Sequence, residues 1–142
     1  MSSFTAIVHS LTAILDNRQE TVALAGEPAS TILYRQFLIG QNGSHRVKLY
    51  TQKIPDQLDQ PGKFAQKLAL EVSRELHCEW CIACVSARDG GIHVVIQCHG
   101  VVQLSIALPT MDDKYFKTRK WWQSYWLLEC FLDVLIKAQP PC

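Results

Sequence analysis

The chain has 142 residues, of which 48% are hydrophobic and 19% charged, with a formal net charge of +1. That length is enough to bury one sizeable core without staples, and the composition is that of one globular domain spanning 1–142. The near-neutral balance argues against an extended nucleic-acid surface or an acidic tail, so no nucleic-acid partner is expected.

The opening stretch, MSSFTAIVHSLTAILDNRQE, has neither a basic n-region nor a small-residue cleavage site. No apolar run reaches the roughly 18–20 residues needed to span a bilayer. We therefore expect a cytoplasmic protein without a membrane span. Its six cysteines should then stay reduced and behave as small buried hydrophobes.

Phe4, Ile7, Val8, Leu11, Ile14 and Leu15 recur at steps of three and four, which predicts an amphipathic helix ending near 17–20. Thr21 to Ala25 reads as a short strand before Gly26 and Pro28. Thr31 to Ile39 is rich in β-branched and aromatic residues, Asn42-Gly43 is a turn signal, and Arg46 to Ile54 follows. The expectation is a hairpin. The loop 55–62 is rich in breakers, and Lys63 to His77 then repeats the helical pattern through Ala65, Leu68, Ala69, Val72 and Leu76.

Three strands follow, Glu79 to Ser86, Ile92 to Cys98 and Val101 to Leu108. The last two alternate apolar and polar residues, as in an antiparallel sheet covered on one face. Pro109 stops the sheet, and a Trp-rich helix runs from Tyr115 to Ala138. Lys114, Lys117, Arg119 and Lys120 are read as its solvated start. The predicted class is α+β: a mostly antiparallel sheet of five to six strands packed with three helices.

On a helical wheel the final helix shows a core face through Trp121, Tyr125, Leu128, Leu132, Leu135 and Ile136, with Leu127 and Phe131 beside it. Trp122, Trp126, Cys130 and Val134 fall opposite, among charged residues. Either the loop 55–62 or the first helix covers them, or they form a seam between two copies of the chain. The seam is the reading adopted, since Trp is enriched where binding energy concentrates and two-fold dimers are the commonest oligomers.

The cysteines and histidines are candidate ligands and nucleophiles. His77, Cys78, Cys81 and Cys84, with His93, Cys98 and His99 further on, offer soft donors. A strand over 79–86 sends residues three apart to opposite faces, so CxxCxxC cannot converge. A Cys81–His99 nucleophile pair lacks an orienting acid. No GxGxxG, Walker loop, HExxH or GxSxG occurs. No catalytic residue, metal or cofactor is expected, and the protein is read as non-enzymatic.

The order of elements, closing on VVQLSIALPTMDDKYFKTRKWWQSYWLLECFLDVLIKA, resembles the class I effector chaperones of bacterial type III secretion. The resemblance implies a virulence-associated cytoplasmic homodimer that holds an extended segment of a secreted partner protein. Leu33, Phe37, Ile39, Val47 and Leu49, beside the first hairpin, are the candidate lining for that segment. Roadblock and profilin-like scaffold subunits share the order and form the alternative. A protein using Cys78, Cys81, Cys84 and His99 for metal or thiol chemistry is the third reading.

Overall fold

The computed structural model describes residues 4–27, 29–35, 46–55, 58–88, 91–108 and 116–137, with backbone alone for Phe4, Ile32 and 116–122. Its elements are α1 (Phe4–Arg18), β1 (Val22–Ala25), a short π-helical segment (Ala29–Leu33), β2 (Val47–Leu49), α2 (Pro61–Leu76), β3 (Trp80–Ser86), β4 (Ile92–Cys98), β5 (Val101–Leu108) and α3 (Phe116–Lys137). The class is α+β, with three long helices and a five-stranded sheet. The expected termini of the helices and of β3 to β5 agree with these to within two residues.

The sheet is mixed rather than mostly antiparallel. Its order is β2-β1-β3-β4-β5; β1 is parallel to both β2 and β3, while β3, β4 and β5 run antiparallel. The expected hairpin is thereby corrected. Residues 29–35 are helical, and β2 pairs with β1 in the same direction. The reason lies in chain reach: parallel neighbours require a crossover, and the helical segment begins one. Asn42-Gly43 lies outside the described residues.

Both faces of the sheet are covered at β1, β3 and β4, which corrects the expectation of one open face for β4; β5, at the edge, keeps its alternation of exposed and half-buried residues. Val22, Leu24, Trp80, Ile82, Cys84, Val94 and Ile96 pack under α1 and α3 with Leu11, Leu15, Leu128, Phe131 and Leu135. Trp80 meets Phe131 edge to face at 5.6 Å. The other face, Ala23, Ala25, Cys81, Ala83, Val85 and Val95, packs on Ala65, Leu68, Ala69 and Val72 of α2. β1 reads VALA because it is central: all four residues are fully buried, and its alanines let α2 approach closely.

The covering of α3 differs from the wheel. Gln123, Ser124, Leu127, Leu128, Phe131 and Leu135 are buried, whereas Ile136 is 50% exposed. The inward face is thus rotated toward Leu127 and Phe131, and α1 lies against this helix with Arg18 Nη2 donating to the Leu135 carbonyl at 2.8 Å. No helix among the described residues is long and apolar enough to cross a membrane.

Candidate pocket at the carboxyl ends of the parallel strands

The chain leaves β1 and β2 on opposite faces of the sheet. The π-helical segment after β1 joins the α1/α3 layer through Ala29 and Leu33, while α2, after β2, covers the other side. Crossovers that part in this way open a crevice beyond the carboxyl ends of the strands, the usual ligand position in parallel sheets.

The turn at the end of β1 is held tightly. Gly26 has φ +78°, and a β-carbon there would run into the Cys84 carbonyl on β3. Glycine alone fits such an approach. The Ser30 amide donates to the Gly26 carbonyl at 2.8 Å, fixing the start of the helical segment. On the other side, the Tyr50 amide donates to the Leu24 carbonyl at 3.0 Å, and the Leu58 amide to the Ser86 carbonyl at 3.2 Å. These bonds pin both ends of the segment that walls the crevice.

The resulting cavity is about 480 Å³, within the range of small-molecule pockets. Glu27, Ser30, Thr51, Gln52 and Ser86 supply carboxylate, hydroxyl and amide groups; Leu49, Ile54 and Pro55 supply apolar surface, with Tyr50 between the two sets. The Tyr50 phenol is held above its ordinary range by burial, then by Glu75 and Glu71 of α2, so it stays protonated. Cys84 also borders the cavity, but burial pushes its thiol up to about 12 despite a hydrogen bond with the Ala29 backbone. A thiol in that state is no nucleophile at neutral pH. No cationic side chain is among the described lining residues.

A second depression, about 510 Å³, lies between α2 and the start of β5 near Lys63 and Lys67. Its inner polar group, Gln97, is already committed: Nε2 donates to Ser73 Oγ at 2.7 Å and Oε1 accepts from the Gly100 amide at 2.7 Å. We rank the first cavity above it for that reason.

The residues proposed from sequence to line a peptide groove are placed only in part. Leu33 is fully buried and Val47 nearly so, both in the α1/α3 core; Leu49 borders the cavity; Phe37 and Ile39 lie outside the described residues. In the proposed seam, Trp126 is 47% exposed, while Cys130 and Val134 are half-buried against the chain's own core. The Trp122 side chain lies outside the described set.

Cys81 and Cys84 do point to opposite faces, as the strand period requires. Cys81 is buried under α2 rather than outward beside His99, and its thiol is pushed far up by burial, then by Cys78 and Cys84. Cys81 and Cys84 therefore cannot converge with Cys78 and His99 on one site. A strand over Thr31 to Ile39, as the sequence suggests, leaves no place for this cavity. The available signal was a short, small-residue strand followed at once by glycine and a helical segment.

No family model matches the chain, and no curated protein matches it. Its fold does match solved structures over nearly its whole length. The competence damage-inducible protein A (ComA) of Klebsiella pneumoniae subsp. pneumoniae MGH 78578 superposes with a TM-score of 0.77 at 10% identity, covering 97% of this chain and 100% of that one. A competence or damage-inducible protein from Enterobacter asburiae gives 0.76 at 10% identity, over 95% and 99%. A competence-damaged protein (CinA) superfamily protein from Enterobacter cloacae gives 0.75 at 10% identity, over 95% and 94%.

At such identities the likeness concerns the fold. It overturns the resemblance to type III secretion chaperones, and with it the secretion, virulence and segment-holding roles. The roadblock or profilin-like alternative falls with them, since the whole-chain matches are to competence-protein folds.

Proposed function

We propose that this protein binds a small, uncharged molecule in the cavity beyond β1, β2 and β3, and that it does so without turning it over. The observation that supports the reading is the Gly26–Cys84 approach, which bends the chain so that Glu27 and Ser30 border a preformed cavity. Hydroxyl and amide groups on one side, with Tyr50, Ile54 and Pro55 on the other, suit a ligand with a planar or apolar face and several hydroxyls. Nucleosides and glycosides have that character. Binding without turnover is favoured by the sequence, which carries none of the common catalytic motifs.

The test is a thermal-shift series with ribonucleosides and simple glycosides, run on the native chain and on Ser86→Trp, which fills the cavity mouth. A concentration-dependent rise in Tm is expected in the native chain alone, since a ligand that binds only the folded state stabilises it by mass action. No rise with any compound, or an equal rise in the variant, contradicts the reading.

The cytoplasmic location and a homodimer through Trp126, Cys130 and Val134 are carried as secondary proposals. The exposed Trp126 ring favours the second. Light scattering of native chain and Trp126→Ala tests it, a dimer lost in the variant being the expected result. A nucleic-acid partner is not proposed, in keeping with the net charge of +1.

A further inference from the structure

At the opposite end of the sheet from the cavity, three chain turns meet. Gln19 adopts φ +55° at the end of α1; its amide donates to the Asp16 carbonyl at 3.1 Å and the Glu20 amide to the Leu15 carbonyl at 2.9 Å. This helix-ending turn delivers Glu20. The β4–β5 connection has only two residues, His99 at φ +51° and Gly100 at φ +83°, the geometry of a type I′ turn. It delivers His99 directly after Cys98, and Cys98 pairs with Trp80 across the sheet. One donor atom from each of Glu20, Cys98 and His99 lies within 4.8 Å of the other two.

We propose that Glu20, Cys98 and His99 bind a divalent cation of the zinc class. An oxygen, a sulfur and a nitrogen donor together suit zinc, whereas magnesium and calcium sites use oxygen alone. A tetrahedral zinc ion holds its ligand atoms about 3.3 to 3.8 Å apart, from bond lengths of about 2.0 to 2.3 Å. As the donor atoms lie within 4.8 Å, closing to that spacing requires a shift of at most about 1.5 Å, which the exposed His99 side chain can make by rotation.

The surroundings are arranged as metal sites are. The Trp80 indole N–H donates to Glu20 Oε1 at 3.1 Å, orienting a carboxylate that keeps further acceptor sites. Nearby, the Glu79 carboxylate is held by the Thr21 amide at 3.0 Å and hydroxyl at 2.8 Å. The His99 amide donates to the Glu79 carbonyl at 3.0 Å, locking the turn to β3.

The charged groups acting on Cys98 are Glu20, Glu79 and Arg18, the last tied to the Leu135 carbonyl. The two carboxylates outnumber the one guanidinium there, a balance that attracts a dication. On binding, the Sγ–H bond breaks, its proton passes to buffer, and a sulfur–metal bond takes its place.

The experiment is titration of chelator-stripped full chain with Co²⁺, then displacement by Zn²⁺. One equivalent of Co²⁺ is expected to bind, with a thiolate-to-cobalt charge-transfer band that Zn²⁺ removes. Cys98→Ser should abolish the band. His99→Ala, at an exposed turn position, should weaken binding at least tenfold, while Cys78→Ser leaves it unchanged. Circular dichroism confirms that each variant is folded. Absence of stoichiometric binding at micromolar metal, or an unaltered band in Cys98→Ser or unaltered affinity in His99→Ala, would overturn the assignment. The cavity at the other end of the sheet is tested separately, so the two can fail independently.

Discussion

The carbonyl oxygen of Cys84 occupies the space that a β-carbon on residue 26 would need. Two adjacent parallel strands are thereby kept in close approach where β1 turns into the helical segment, and the cavity borders the same contact.

Gly26→Ala should therefore be costly on two counts, the positive φ and the collision with backbone that cannot rotate away. The expected loss is about 2 to 4 kcal/mol, measured by urea unfolding. An alanine variant within 0.5 kcal/mol of the native chain would show that β1 and β3 can separate locally at no cost.

Gln97 is 2% exposed and links α2 to the β4–β5 turn: Ser73 Oγ donates to the Cys78 carbonyl at 2.8 Å while accepting from Gln97 Nε2. The Gly100 amide completes the chain through Gln97 Oε1. Gln97→Leu removes two bonds and should cost about 1 to 3 kcal/mol. It should also speed amide hydrogen exchange at Gly100, which NMR measures directly.

Phe131 and Trp126 are a matched pair on α3. Phe131 is fully buried against Trp80, whereas Trp126 is 47% exposed. Phe131→Ala is expected to cost about 3 to 5 kcal/mol, and Trp126→Ala less than about 1 kcal/mol at protein concentrations low enough to keep the chain monomeric. Urea unfolding of both variants checks the contrast.

Glu79 sets an acid-side dependence of stability. Burial raises its pKa, but the Thr21 amide and hydroxyl, its own amide and nearby His99 outweigh this and hold it below the ordinary carboxylate value. A depressed folded pKa means the unfolded chain binds more protons. The contribution is thus present above the unfolded carboxylate pKa and is lost as pH falls through the folded one. His93, lowered by burial, acts with the same sign around its own higher range. Unfolding of native chain and Glu79→Gln across pH should show the largest difference near neutrality and convergence in acid. A gap that is constant with pH contradicts the assignment.

The sequence made some elements legible because their periods are local. α1 and α2 carry apolar residues at helical spacing, and β4 and β5 alternate, so their limits could be read directly. Parallel pairing left no comparable trace. β1 has four residues, β2 has three, and their partnership depends on a crossover rather than on a turn signal. Thr31 to Arg35 has strand propensity, yet residues 29–35 are helical, with Ala29 and Leu33 buried in the α1/α3 core. The wheel of α3 placed Leu127, Leu128, Phe131 and Leu135 inward correctly but missed at the margin, at Ile136 and Gln123, because apolar residues surround the helix and composition alone does not set its rotation. Glu20 follows α1, while Cys98 and His99 sit together at the β4–β5 turn, and their convergence belongs to the tertiary structure.

The most direct test of the central claim is backbone-amide NMR with a nucleoside or glycoside that raises Tm. Shift changes are predicted to cluster at Gly26, Ser30, Tyr50, Thr51 and Ser86 and to saturate with one affinity. Changes centred elsewhere, or none at saturating ligand, would contradict the account.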